Sequence, residues 1–236
     1  MIAARLVVAA ASPAGRKPAG KAVRSPTRRA RTEPQSTEPT PAHRGQPAVF
    51  TVGHSTRALE DFITLLSAHG VQRLVDVRTV PRSRHNPQFN RDTVPQALQA
   101  RGIGYAHVAA LGGLRKPLPD SINKGWRNLS FRGYADHMQS AEFARSLTEL
   151  MASAQSEQLA VMCAEAVPWR CHRSLIGDAL LVHGVPVEEL VDAKRRQPHR
   201  LTPFAVVDGT TITYPADDLA ARQTNLFAAP RREGAQ

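Results

Sequence analysis

From Ala48 onward, short apolar runs alternate with amphipathic helical patterns, and this alternation limits the fold more than any other feature of the chain. "AVFTVGH" reads as a buried strand closing at Gly53. In "STRALEDFITLLSAHG", Leu59, Phe62, Ile63 and Leu66 fall at i, i+3, i+4 and i+7. Ser55 or Thr56 is placed to cap that helix, Glu60 and Asp61 suit its N-terminal dipole, and Gly70 ends it. "VQRLVDVRTV" is a second strand that runs into Asp76-Val77-Arg78. Thr93-Val94-Pro95-Gln96 resembles a capping box with an early proline, opening a helix that ends near Gly102. "IGYAHVA" is a third strand, and "FRGYADHM" and "AEFARSLTELMASA" are helical pieces with Ser140 as a cap between them. "QLAVMC" is a fourth strand. "CHRSLIGDALLVHG" is a helix with Leu175, Ile176, Ala179 and Leu180 inward, and "VPVEELV" reads as a fifth strand or a strand-to-helix junction.

Strands alternating with helices predict an α/β fold, a three-layer arrangement with a mostly parallel sheet and helices on both faces. "FAVVDGTTITY" departs from the pattern: Asp208-Gly209 between two β-rich runs predicts a C-terminal hairpin. Residues 1–46 are different again, dominated by Ala, Pro, Arg, Ser and Thr without hydrophobic periodicity. Such a segment cannot offset the entropy of ordering, so it is expected to be a disordered basic tail. The expected organisation is this tail, an α/β domain over 47–200, and a hairpin with a loose end over 201–236.

Charge follows the same division. Of the formal +11, the first 46 residues carry +7 and the remaining 190 carry +4, so the basic character belongs mainly to the tail. The opening "MIAARLVVAAASPAG" is near the lower limit for an export signal and lacks a strongly basic start, which favours a solvated tail. No apolar run approaches the ~20 residues of a membrane span. Two cysteines exclude a disulfide framework and fit a reducing, cytoplasmic setting.

In open parallel sheets, ligands bind beyond the carboxyl ends of the strands. The residues that follow each expected strand are Gly53-His54-Ser55, then Asp76-Val77-Arg78 with Ser83 and Asn86, then Gly112-Gly113, and then Cys163 with Glu165. Cys171-His172-Arg173 opens the next helix. The blocks "TVGHSTRALEDFITLL", "LVDVRTVPRSRHNPQFN", "LGG", "FRGYADHM" and "VMCAEAVPWRCHR" occur in the order seen in the DUF488 family, and the chain resembles that family over roughly residues 48–192. The resemblance implies a compact α/β domain and assigns no reaction; nucleic-acid or DNA-repair labels attach to some of the family's members.

Cys163 ends a strand before a loop into a helix, where backbone N–H groups can stabilise thiolate and anion together. A phosphatase-type loop needs an arginine six residues after its cysteine, and positions 169 and 177 are Trp and Gly. Cys171, at the helix start, is the more reactive thiol expected from the helix dipole. Two other readings stay open: buried cysteines that only fill the sheet edge, and a reversible Cys163–Cys171 disulfide, which needs Cα atoms within about 7 Å. The C-x7-C-H spacing does not match the tight ligand pairs of structural zinc sites, so no metal is expected. No P-loop or dinucleotide fingerprint is present, Gly112-Gly113 alone being too little, and no cofactor is expected.

His54 is the histidine best placed as a general base or hydrogen-bond donor; Asp76 either orients it or Arg78, or the three form a structural ion-pair network, and Glu165 is available for proton transfer. Arg78, Arg82, Arg84 and Arg91, then Arg115, Lys116, Lys124 and Arg127, and finally Arg170 and Arg173, would make a shared cleft positive if their loops converge. Trp126, Tyr105 and Trp169 offer faces on which bases could stack. Two readings follow. In the first, His54, Asp76, Cys163 and Glu165 carry catalysis on an anionic, nucleotide-like substrate, held by Ser55, Arg78, Ser83, Asn86, Gly112, Gly113, Cys171, His172 and Arg173. In the second, the chain is a non-catalytic nucleic-acid-binding or regulatory module whose tail and loops contact phosphates. Neither involves a membrane, and no oligomeric state is implied.

Overall fold

The computed structural model describes residues 48–216. The basic tail, the export-signal reading and the loose C-terminal end fall outside the described residues. The five apolar runs become β1 (Val49–Gly53), β2 (Arg73–Asp76), β3 (Gly104–His107), β4 (Leu159–Cys163) and β5 (Val187–Leu190). Between them run α1 (Leu59–Ala68), α2 (Val94–Gln99), α3 (Leu129–His137), α4 (Ala141–Ala154) and α5 (Arg173–Val182). A sixth strand, β6 (Arg196–Pro198), pairs antiparallel with β5. It was not anticipated, because its three exposed residues carry no hydrophobic alternation.

The sheet order is β3-β2-β4-β1-β5-β6, with all pairings parallel except the last. From β1 the chain crosses to β2 and β3 on one side, returns to insert β4 beside β1, and crosses to β5 on the other side. Right-handed crossovers running in opposite directions must lie on opposite faces of the sheet. Accordingly Phe62, Ile63 and Leu66 of α1 and Leu98 of α2 pack with Phe50, Leu74 and Met162. Tyr134 of α3, Leu147 of α4, and Leu175 and Ile176 of α5 pack with Val49, Val75 and Val161. Alternate residues of β4 supply both cores, so a strand buried on two faces reads as an unbroken apolar run.

The helix ends follow the sequence in part. Ser140 caps α4 by accepting the Phe143 N–H at 3.2 Å. Asn128, which the sequence reading passed over, caps α3 through Ser130 N–H at 2.8 Å. The expected caps of α1 and α2 do not form. Helix α1 starts only after Ala58, beyond Ser55 and Thr56, and Thr93 makes no capping bond.

The predicted hairpin is present as β7 (Val206–Asp208) and β8 (Thr211–Thr213), a separate two-stranded sheet. It is tied to α5 by Asp178, a fully buried carboxylate. That side chain accepts from His199 Nε2 at 2.8 Å, Thr202 N at 3.1 Å, Thr202 Oγ1 at 2.6 Å and Tyr214 Oη at 2.8 Å.

Candidate active site with paired cysteines

Neighbouring strands β1 and β4 send their connections in opposite directions, which opens a crevice at their carboxyl ends. Gly53 and Cys163 are register partners at that edge. The chain beyond each stays paired, His54 N–H donating to Cys163 O at 3.1 Å and Ser55 N–H to Ala164 O at 3.0 Å. The loop after β4 then folds back over β1. A Cβ on Gly53 would stand 1.8 Å from Glu165 O, so only glycine lets this backbone cross.

Arg173, the first residue of α5, is fully buried behind the crevice. Its five N–H groups all have acceptors. Nε and Nη2 hold Glu189 of β5 at 3.4 and 2.7 Å, and Nη2 also reaches Ala166 O at 3.2 Å. Nη1 donates to Glu165 O at 2.6 Å and to Cys163 Sγ at 2.8 Å. A sulfur that receives a guanidinium N–H is a better acceptor as thiolate than as thiol. Among the described residues, the oxygen within reach of a Cys163 S–H is Glu165 O, at 3.9 Å.

Cys171 faces Cys163, and the two sulfurs are paired, with Cα atoms 7.5 Å apart. That separation is wider than the roughly 4.4–6.8 Å spanned by relaxed disulfides, so an ordinary bridge needs the two backbones to approach. The sulfur of Cys171 receives the Arg173 backbone N–H at 3.5 Å and lies 3.6 Å from His172 Nδ1. Val77 O, 3.2 Å from His172 Nε2, can only accept, so Nε2 carries the hydrogen and the Nδ1 lone pair faces the sulfur. Burial lowers the His172 pKa to about 4, keeping this imidazole neutral. Gly113 packs flat on the ring, where a Cβ would come within 2.3 Å of Nδ1.

A second buried cluster backs the crevice from β2. Asp76 accepts from Arg78 Nε at 2.9 Å, Arg78 Nη2 at 2.5 Å, Arg78 N at 3.0 Å and Tyr105 Oη at 2.8 Å. Arg78 also donates from Nη2 to Phe89 O at 2.7 Å and from Nη1 to His54 Nε2 at 3.2 Å. His54 donates from Nδ1 to Ser55 O at 2.8 Å and stacks on Phe89. Burial, assisted by the Arg78 charge, lowers the His54 pKa to about 4, so it is held neutral with both ring nitrogens in use. Of Arg78's five N–H groups, one on Nη1 has no partner among the described residues, and Arg78 lines the crevice.

The crevice is a cleft of about 340 Å³. Of the residues singled out in the sequence, Arg78, Gly113, Cys163, Glu165, Arg170, Cys171 and His172 line it. Arg173, Asp76 and His54 stand behind that lining. Ser55 makes a turn at φ 48°. Ser83 and Asn86 bond within their own loop, the Asn86 N–H donating to Ser83 Oγ at 3.1 Å. Gly112 lies against Thr79. Arg82 and Arg91 flank a separate depression, and Arg115 binds the carbonyls of Ala110 and Gly112. Trp126 packs against Phe131, Phe204 and Tyr214, and Tyr105 is held by Asp76, so neither is an open stacking face.

Sequence reasoning missed Glu189, whose only signal was an acid within an apolar strand, and the apolar part of the cleft wall formed by Val80, Leu114 and Phe131. Among the described residues no three His, Cys, Asp or Glu side chains are grouped to hold a metal ion. No helix among them is long and apolar enough to cross a membrane.

Fold and site together define a parallel α/β domain with a two-cysteine cleft at the switch point of its sheet. The family model for a domain of unknown function, DUF488, matches residues 58–180, and the chain belongs to this family. No curated protein and no solved structure matches the chain.

Proposed function

We propose that this chain is a cysteine-dependent enzyme acting on a small anionic substrate at the carboxyl ends of the parallel strands. The observation that carries the reading is the fully buried Arg173 guanidinium, 2.8 Å from Cys163 Sγ, at the back of a cleft. Cys163 is the nucleophile, and Arg173, fixed by Glu189, keeps it ionised. The spare N–H of Arg78 and the exposed guanidinium of Arg170 supply donors for an anionic group. Asp76 and His54 act through Arg78 as positioning residues, and Glu165 at the rim is available for proton transfer.

The test compares two alkylating reagents of nearly equal size, neutral iodoacetamide and anionic iodoacetate, on the reduced full chain at neutral pH. Cys163 is expected to react with iodoacetamide faster than the same cysteine in the unfolded chain. It should also react with iodoacetate at a rate that falls when Arg170→Ala is introduced. Labelling of both cysteines only on unfolding would remove the nucleophile from the reading. Fast reaction with iodoacetamide alone would remove the anion.

A further inference from the structure

The proposed nucleophile leaves Cys171 and His172 without a task, although both line the same cleft. The structure gives Cys171 what an attacking thiol requires. Its sulfur is turned toward Cys163. A neutral imidazole nitrogen stands 3.6 Å away and accepts from the thiol, holding it in place until its proton is lost to water. The Arg173 backbone N–H at 3.5 Å stabilises the resulting charge. Cys171 also follows the loop from Ala164 to Arg170, whose residues 164–166, 169 and 170 are exposed, while Cys163 is fixed in a central strand. The approach that their 7.5 Å Cα separation demands can therefore come from the loop side.

We infer that the cleft is a thiol–disulfide exchange centre for small disulfides, with Cys171 as resolving thiol and His172 as the residue that orients it. This rests on the reading of Cys163 as an activated thiolate. In the first step the Cys163 thiolate attacks one sulfur of the small disulfide. The reagent's S–S bond breaks, a mixed disulfide forms on Cys163, and the first thiolate leaves to be protonated by water. In the second step Cys171, held by His172 Nδ1, loses its proton to water and attacks Cys163 Sγ. The bond from Cys163 to the reagent breaks, the Cys163–Cys171 bond forms, and the second thiolate leaves to be protonated by water. Two electrons pass from the protein dithiol to the reagent, and a low-molecular-weight thiol resets the pair. Both cysteines are at most 3% exposed and are reached through a cleft walled by Val80, Leu114 and Phe131, so small reagents are admitted and protein disulfides are not.

The experiment mixes the reduced full chain with bis(2-hydroxyethyl) disulfide without oxygen, and follows intact mass and released thiol. The wild-type chain is expected to release two equivalents of mercaptoethanol and to retain no adduct. Cys171→Ser should release one equivalent and keep a stable adduct on Cys163, while Cys163→Ser stays unmodified over the same period. His172→Phe, which removes the orienting acceptor, should slow the second release relative to the first by about tenfold. A wild-type adduct that persists on Cys163 would overturn the exchange step while leaving the nucleophile in place. Failure of Cys171→Ser to form any adduct would overturn both the exchange and the reading beneath it.

Discussion

Gly53 is where one atom decides whether the site can form. Its missing Cβ is the space through which the Glu165 carbonyl passes on its way to Arg173. Because the obstructing atoms are backbone, they cannot yield as a flexible side chain would. Gly53→Ala is therefore expected to destabilise the domain by about 3 kcal/mol or more, read as a lower urea midpoint. In whatever fraction still folds, fast alkylation of Cys163 should be lost, because a displaced Glu165 carbonyl no longer anchors Arg173 Nη1 beside the sulfur. Gly113 has a parallel duty against the His172 ring. Sequence reasoning placed both glycines near the ligand. It could not tell an anion-holding glycine from one that admits another part of the protein, because that depends on what the fold brings against it.

Elements hold these residues at fixed spacing. The carboxyl ends of β1, β2 and β4, together with the start of α5, converge on the crevice, and each was legible from a short apolar run or a 3.6-residue period. The caps show where local reading stops. Ser140 stands directly before a long amphipathic run and caps it, whereas Ser55 is used in a turn at φ 48° and α1 begins only after Ala58, beyond both Ser55 and Thr56. The C-terminal hairpin illustrates a different dependence. Its turn is local, but its attachment is the buried Asp178 on α5, 36 positions before Tyr214. Tyr214→Phe removes one of four donors to that carboxylate and is expected to cost about 1–2 kcal/mol. Amide hydrogens from 199 to 214 should then exchange faster while those of β1 and β4 stay protected, as hydrogen-exchange mass spectrometry would register.

At the scale of the whole molecule, two neutral buried histidines link stability to pH. His54 and His172 each have a pKa near 4 in the folded chain and near the ordinary 6.5 when unfolded. Between those values the unfolded chain binds more protons, so acid favours unfolding. The contribution is fully present above pH 6.5 and is lost as pH falls toward 4, about 1–3 kcal/mol for each group. Denaturant midpoints are expected to drop across that interval, and His172→Asn should make the drop shallower. A midpoint independent of pH from 7.5 to 4.5 would mean that these rings are not held neutral.

The sequence by itself determined the alternation of strands and helices, the hairpin, and the gathering of cysteine, histidine and arginine at strand ends. Those follow from periodicity and turn chemistry, which act over a few residues. Only the tertiary structure decided that Arg173 is clamped by Glu189 sixteen positions on, and that His172 is oriented by Val77 ninety-five positions earlier. It also set His54 behind Arg78, where both its nitrogens are in use. The physical reason is strand order. Inserting β4 between β1 and β2 brings distant chain ends to one edge, and no local pattern of residues records which strand lies beside which.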